Sequence, residues 1–140
     1  MNDNKLNFTV NRTTGGTICE VVTAVLAVVL WGLAIYAIRR HPGDDSPILV
    51  HAVAMTTIPL MMLLLAYFPR TFNVPDNAKP MHYVLTVWLL RVISVELVLM
   101  GIVDVVGIQL LHGPTWISHI SATILLGTIA IFMVRFYTVK

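Results

Sequence analysis

Seven ionisable side chains of this sequence sit within or at the ends of apolar runs. Asp104 lies between Val103 and Val105, inside one such run. Glu96 interrupts the same run, Arg91 stands at its start, Glu20 lies in another, and His51, His112 and His119 stand near run ends. Carboxylates and imidazoles can carry protons, bind cations or ligate metal. Among apolar residues such a group needs a partner, water or a proton, so each one is a candidate site.

Two sets emerge from their positions. Asp104, His51, His112 and His119 are expected in one half of the structure, with Gln109 nearby and His41, Asp44 and Asp45 above. Three histidines and a carboxylate have the donor chemistry of a zinc site. No two of these histidines show the i, i+4 spacing of helical ligands, and no HExxH-type motif occurs. A hydrogen-bonded network or scattered interface histidines is the stronger expectation. Glu20 and Glu96 fall about 5–6 Å inside the opposite boundary, at 1.5 Å per residue. They could form a proton- or cation-coupled pair. The simpler expectation is two shallow carboxylates that reach the interface or pair with Arg91 and Arg12. The sequence has no GxSxG, P-loop, GxGxxG, CxxC or SxxK motif. No enzyme and no cofactor are expected. The single cysteine, Cys19, forms no intramolecular disulfide.

The elements that position these groups follow from composition. Of 140 residues, 57% are hydrophobic and 11% charged, against roughly 25% charged in soluble domains. Mean hydropathy is +0.83. A soluble fold this small cannot bury so much apolar surface; lipid can serve as its solvent. The net charge of +2 comes with no basic stripe, so nucleic acid is not a partner.

About 20 apolar residues cross a bilayer as a helix. The spans expected are 17–38, 47–68, 92–111 and 117–134, in an all-α, antiparallel up-down bundle forming a single transmembrane domain. Pro59 should kink the second. Before the third, Met81, Val84, Leu85, Trp88 and Leu89 form the stripe of an amphipathic helix. Residues 81–91 therefore read as an interfacial approach, with Arg91 snorkelling at the boundary; one long tilted helix is the alternative. Ser118/Ala122 and Thr123/Gly127, with Gly32, Gly101 and Gly107, read as helix–helix contacts. Trp116, Tyr36, Tyr67, Tyr83, Trp88 and Tyr137 form aromatic belts. Lys5, Arg12, Arg70, Lys79, Arg91, Arg135 and Lys140 fall on one side, and only Arg39 and Arg40 on the other. The positive-inside rule then places both termini in the cytoplasm, with the histidine–aspartate set facing outward.

Phe68-Pro69-Arg70-Thr71-Phe72-Asn73-Val74-Pro75 reads F-P-x-x-F-N-x-P, and Trp88-Leu89-Leu90-Arg91 follows before an apolar span. Through Phe68, Pro69, Phe72, Asn73, Pro75 and this lead, residues 17–106 resemble the bacterial domain-of-unknown-function family 1648. Those are small membrane proteins similar to parts of SdpI-type toxin-immunity and signalling proteins. Of the family's outer-loop signature, IP-x-HFN-x-x-G-x-x-D-x-x-GSK, this chain carries only Gly43 and Asp44. The resemblance implies a non-catalytic immunity, regulatory or accessory module, with lipid, a second copy or an extracytoplasmic protein as candidate partners. Two other readings stand beside it. Ile18-Cys19-Glu20-Val21 is weakly similar to small multidrug exporters, which implies an oligomeric cation-coupled transporter. The outward histidines would suit a membrane metal-binding protein.

Overall fold

The computed structural model describes residues 14–43, 45–68 and 78–139. Among them the chain is helical throughout its ordered elements: α1 (Thr14–Arg40), α2 (Asp45–Leu65), α3 (Pro80–Asp104) and α4 (Trp116–Thr138), with a π-helical segment, Val105–Leu110, continuing α3. Phe68 is described, whereas Pro69, Phe72, Asn73 and Pro75 of the F-P-x-x-F-N-x-P stretch lie outside the described residues.

Three helical stretches are long and apolar enough to cross a membrane: Thr14–Arg40, Pro47–Leu65 and Trp116–Thr138. Their surfaces agree. Val28, Leu111, Leu126 and Ile131 are each more than 60% exposed, within a surface rich in exposed Val, Ile and Leu. Apolar exposure on that scale is unfavourable in water and ordinary in lipid. The chain is a helical membrane protein.

The α3 helix is central and packs against all three others. Its buried residues include Val87, Arg91, Ser94, Val98 and Gly101, spaced alternately four and three apart. On α1 the buried Gly16, Thr23, Leu30 and Ala37 recur every seven residues. Such periods keep one seam facing a partner and suit helices that coil gently around each other. Because lipid is as apolar as leucine, the seam gains from close packing more than from exclusion of water, and small residues permit that approach.

Gly101 shows the principle. A Cβ there would lie 2.9 Å from Met55 Cβ and 3.2 Å from Leu30 Cδ2, so three helices meet at this glycine. Three other helical glycines differ. Gly107 would make only ordinary contact with Ile117, and Gly32 and Gly127 have nothing within 4 Å among the described residues. Thr123 and Gly127 are exposed, so that small-residue pair does not mark a helix contact among the described residues. Ser118 and Ala122 are half-buried on the side of α4 that meets α3.

Polar bonds reinforce the packing. Trp31 Nε1 donates to Thr56 Oγ1 at 2.9 Å, joining α1 to α2. Ser94 Oγ lies 2.7 Å from Leu90 O and 3.2 Å from Pro59 O. The α2 helix runs unbroken through Pro59.

Two expectations about the third span change. Pro80–Asp104 is one helix with no break at Arg91, which matches the single-helix alternative. Arg91 is also 2% exposed, inside the helix packing rather than reaching out to a boundary. Past Asp104 the helix widens into its π turn, and Leu111 N donates to Val106 O at 3.0 Å. Gly113 N then donates to Gly107 O at 2.7 Å. That turn brings the chain so close that a Cβ on Gly113 would lie 2.6 Å from the Gly107 oxygen.

Candidate functional site

At the end of α3, Asp104 is 8% exposed and its two oxygens face different helices. Oδ1 accepts a hydrogen bond of 2.7 Å from Ser118 Oγ, on the first turns of α4. Oδ2 lies 3.3 Å from His51 Nε2 on α2. That nitrogen is buried and makes no hydrogen bond among the described residues. The pair opens onto a cavity of about 250 Å³ lined by Pro47, Ile48, His51, Asp104, Val105, Ile108 and Gln109.

The π segment supplies three of these linings. A π turn adds a residue to each hydrogen-bonded ring and redirects the side chains after it; such turns recur at functional sites. Here it begins directly after Asp104 and brings Val105, Ile108 and Gln109 to the same cavity.

The expected outer set is therefore divided. His51 and Asp104 meet, and Gln109 joins them at the cavity. His112 instead stacks edge-on against His41, ring centroids 5.2 Å apart, at the far side of the turns. His119 is exposed, with Nδ1 3.1 Å from Thr115 O on its own helix. Among the described residues no group of three histidine, cysteine or acidic side chains is placed to hold a metal ion. In the sequence Ser118 reads only as a small packing residue; its hydroxyl, on the turn that re-enters beside Asp104, is the feature that matters. Removing that hydroxyl should have a modest effect, since hydrogen bonds between membrane helices average about 0.6 kcal/mol and reach about 1.7 kcal/mol. Ser118→Ala is expected to fall in that range by titration with a denaturing detergent. A loss several times larger would mean that Asp104 has no other adequate partner.

The two glutamates, expected as an inner pair, also separate. Glu20 on α1 accepts a hydrogen bond from the Tyr67 hydroxyl and lies 3.7 Å from Arg91 Nη2. Arg91 rests beside Trp88, its guanidinium carbon 5.9 Å from the ring centre. Gly16 makes room for it, since a Cβ there would collide with the guanidinium atoms. Glu96 faces the other way and accepts 2.6 Å from Thr128 Oγ1 of α4, while its Oε2 is buried without a hydrogen bond among the described residues. Glu20 and Glu96 thus have different partners on different helices and form no pair. Tyr67, which reads in the sequence as a belt aromatic, and Thr128, which the sequence does not single out, hold these groups.

No protein-family model, curated protein or solved structure matches this chain.

Proposed function

We propose that this chain is a non-catalytic membrane module of the immunity, regulatory or accessory kind, which acts by binding at the cavity where His51 and Asp104 meet. The observation that carries the reading is that cavity. It joins a buried carboxylate, a histidine and an apolar wall, the usual make-up of a small recognition site. Among the described residues its lining holds no serine, cysteine or lysine, and a binding role needs none.

In this reading all four helices cross the bilayer as an antiparallel up-down bundle. The order of contacts supports it. Trp31 meets Thr56 and Glu20 meets Tyr67, in opposite chain directions. Along α3 and α4, His82 meets Phe136, Glu96 meets Thr128 and Asp104 meets Ser118, again in opposite directions. The α3 helix crosses because its charged residues turn inward to partners while its neighbours face lipid. By the positive-inside rule both termini lie in the cytoplasm of a bacterial inner membrane, and the cavity opens outward.

Thiol labelling tests both parts in a Cys19→Ser background. Cysteines at His112 and Ile108 should react with a small membrane-impermeant reagent added outside. A cysteine at Tyr137 should react only after permeabilisation. Reaction of the positions 112 and 137 from one side would refute the crossing of α4, and an inert position 108 would refute an open cavity.

A further inference from the structure

We infer that the cavity takes a primary ammonium group on a short alkyl chain, supplied either by a free amine or by the headgroup of an aminolipid. The inference rests on the site reading above and adds the class of ligand. The walls offer acceptors. Asp104 is acceptor-only when ionised, and one of its oxygens already takes Ser118, which leaves Oδ2 to accept from a ligand in the cavity that Asp104 lines. Nε2 of His51, 3.3 Å away, is itself buried beside that oxygen, so it orients the carboxylate and is not an acceptor that a ligand reaches. Gln109, on the π segment, contributes an amide oxygen to the same lining. An alkylammonium carries three N–H donors and no acceptor. The two acceptors on the lining, from Asp104 and Gln109, take two of the three donors of one nitrogen and leave the third to water, and Asp104 offsets its charge.

The alternatives fit worse. An anion would meet the Asp104 carboxylate. A neutral alcohol has one donor for the two acceptors and no charge to meet the carboxylate. A metal ion would find only two strong protein ligands in His51 and Asp104, fewer than the usual set. The rest of the lining, Ile48, Val105 and Ile108 among it, is apolar and suits a short hydrocarbon. At about 30 Å³ per water, the cavity of about 250 Å³ has room for on the order of eight waters, and so for a ligand of similar heavy-atom count.

The test is calorimetry on the full chain in nanodiscs of phosphatidylcholine, titrated with n-butylammonium and, separately, n-butanol. Saturable binding of the ammonium, at least tenfold tighter than the alcohol, is expected. Asp104→Asn should lose that tenfold preference; the new amide retains an oxygen for Ser118, so the unfolding midpoint should stay near that of the parent. Discs of phosphatidylcholine mixed with phosphatidylethanolamine distinguish the source. Weaker apparent n-butylammonium binding there identifies the lipid headgroup as a competing ligand, and unchanged binding identifies a free amine. No saturable binding, or equal ammonium binding by Asp104→Asn, overturns the inference. The labelling at position 108 separates the failures. A reactive cysteine with no ammonium binding rejects the ligand class alone, whereas an inert one rejects the cavity reading beneath it.

Discussion

Glu20→Leu is expected to lower stability by about 3–5 kcal/mol, the range for stranding one member of a buried ion pair. Arg91 is the member that would be stranded. Its side chain is 3% exposed against 26% for Glu20, and its Nε already lacks a hydrogen bond among the described residues. Without Glu20 the guanidinium keeps the face of Trp88 but loses its carboxylate. The reverse change should do less harm, because in Arg91→Met the glutamate retains the Tyr67 hydroxyl and a path to the interface. Glu20→Gln should fall between them. The double variant Glu20→Leu/Arg91→Met should recover much of the loss, since apolar replacements of a buried pair are often neutral or stabilising. Titration of purified protein with a denaturing detergent, followed by helical circular dichroism, gives the order. If Arg91→Met proves the more damaging single change, Arg91 reaches water by another route and the pair is not what holds it.

The second large effect belongs to Gly101→Ile. Overpacking a close contact costs about 1–3 kcal/mol and sometimes more. The upper end is expected here, because the new Cβ would meet Met55 Cβ at 2.9 Å rather than the far end of a flexible chain. Relief would require α2 to separate from α3, opening the Leu30, Ala52 and Val98 cluster. The matched control is Gly32→Ile, where nothing among the described residues lies within 4 Å. That variant should match the parent or exceed it slightly, as glycine inside a helix is destabilising by roughly 0.5–1 kcal/mol relative to alanine. The same detergent titration reads both. Equal sensitivity at the two positions would refute the assignment of the three-helix contact to Gly101.

These residues also show what the sequence could and could not reveal. The helices α1, α2 and α4 are legible because long apolar runs leave few alternatives in a chain of this composition. The observed Thr14–Arg40, Asp45–Leu65 and Trp116–Thr138 differ from the expected bounds by a few residues. The third helix is divided wrongly in the sequence because a lone arginine in an apolar run reads as a boundary. What meets Arg91 comes from elsewhere in the chain: Gly16 and Glu20 on α1, with Tyr67, just beyond α2, holding Glu20. No local pattern encodes such a meeting. At the candidate site, Asp104 and His51 are legible by type, an acid within one apolar run and a histidine near the start of another. His112 and His119 are not separable from them by sequence, since a π turn and a backbone φ of +49° at His112 decide which way the later residues face. The resemblance through the F-P-x-x-F-N-x-P stretch adds no geometry, as most of it lies outside the described residues.

The α4 helix buries none of its residues, yet its Ser118 and Thr128 are the hydroxyls that reach Asp104 and Glu96. Under the four-span reading proposed above, this has a consequence for biogenesis. On an insertion scale an arginine or aspartate at a helix centre is unfavourable by about 2.5–3.5 kcal/mol, and α3 carries Arg91, Glu96 and Asp104. It would leave the translocon poorly if alone. The hairpin of α1 and α2, made first, already offers Glu20, Tyr67 and His51 as landing points. Once α3 has settled there, its remaining acidic faces look outward toward hydrocarbon. The helix synthesised next closes over them, so that α4 acts as the cover that lets a charged helix stay in the bilayer.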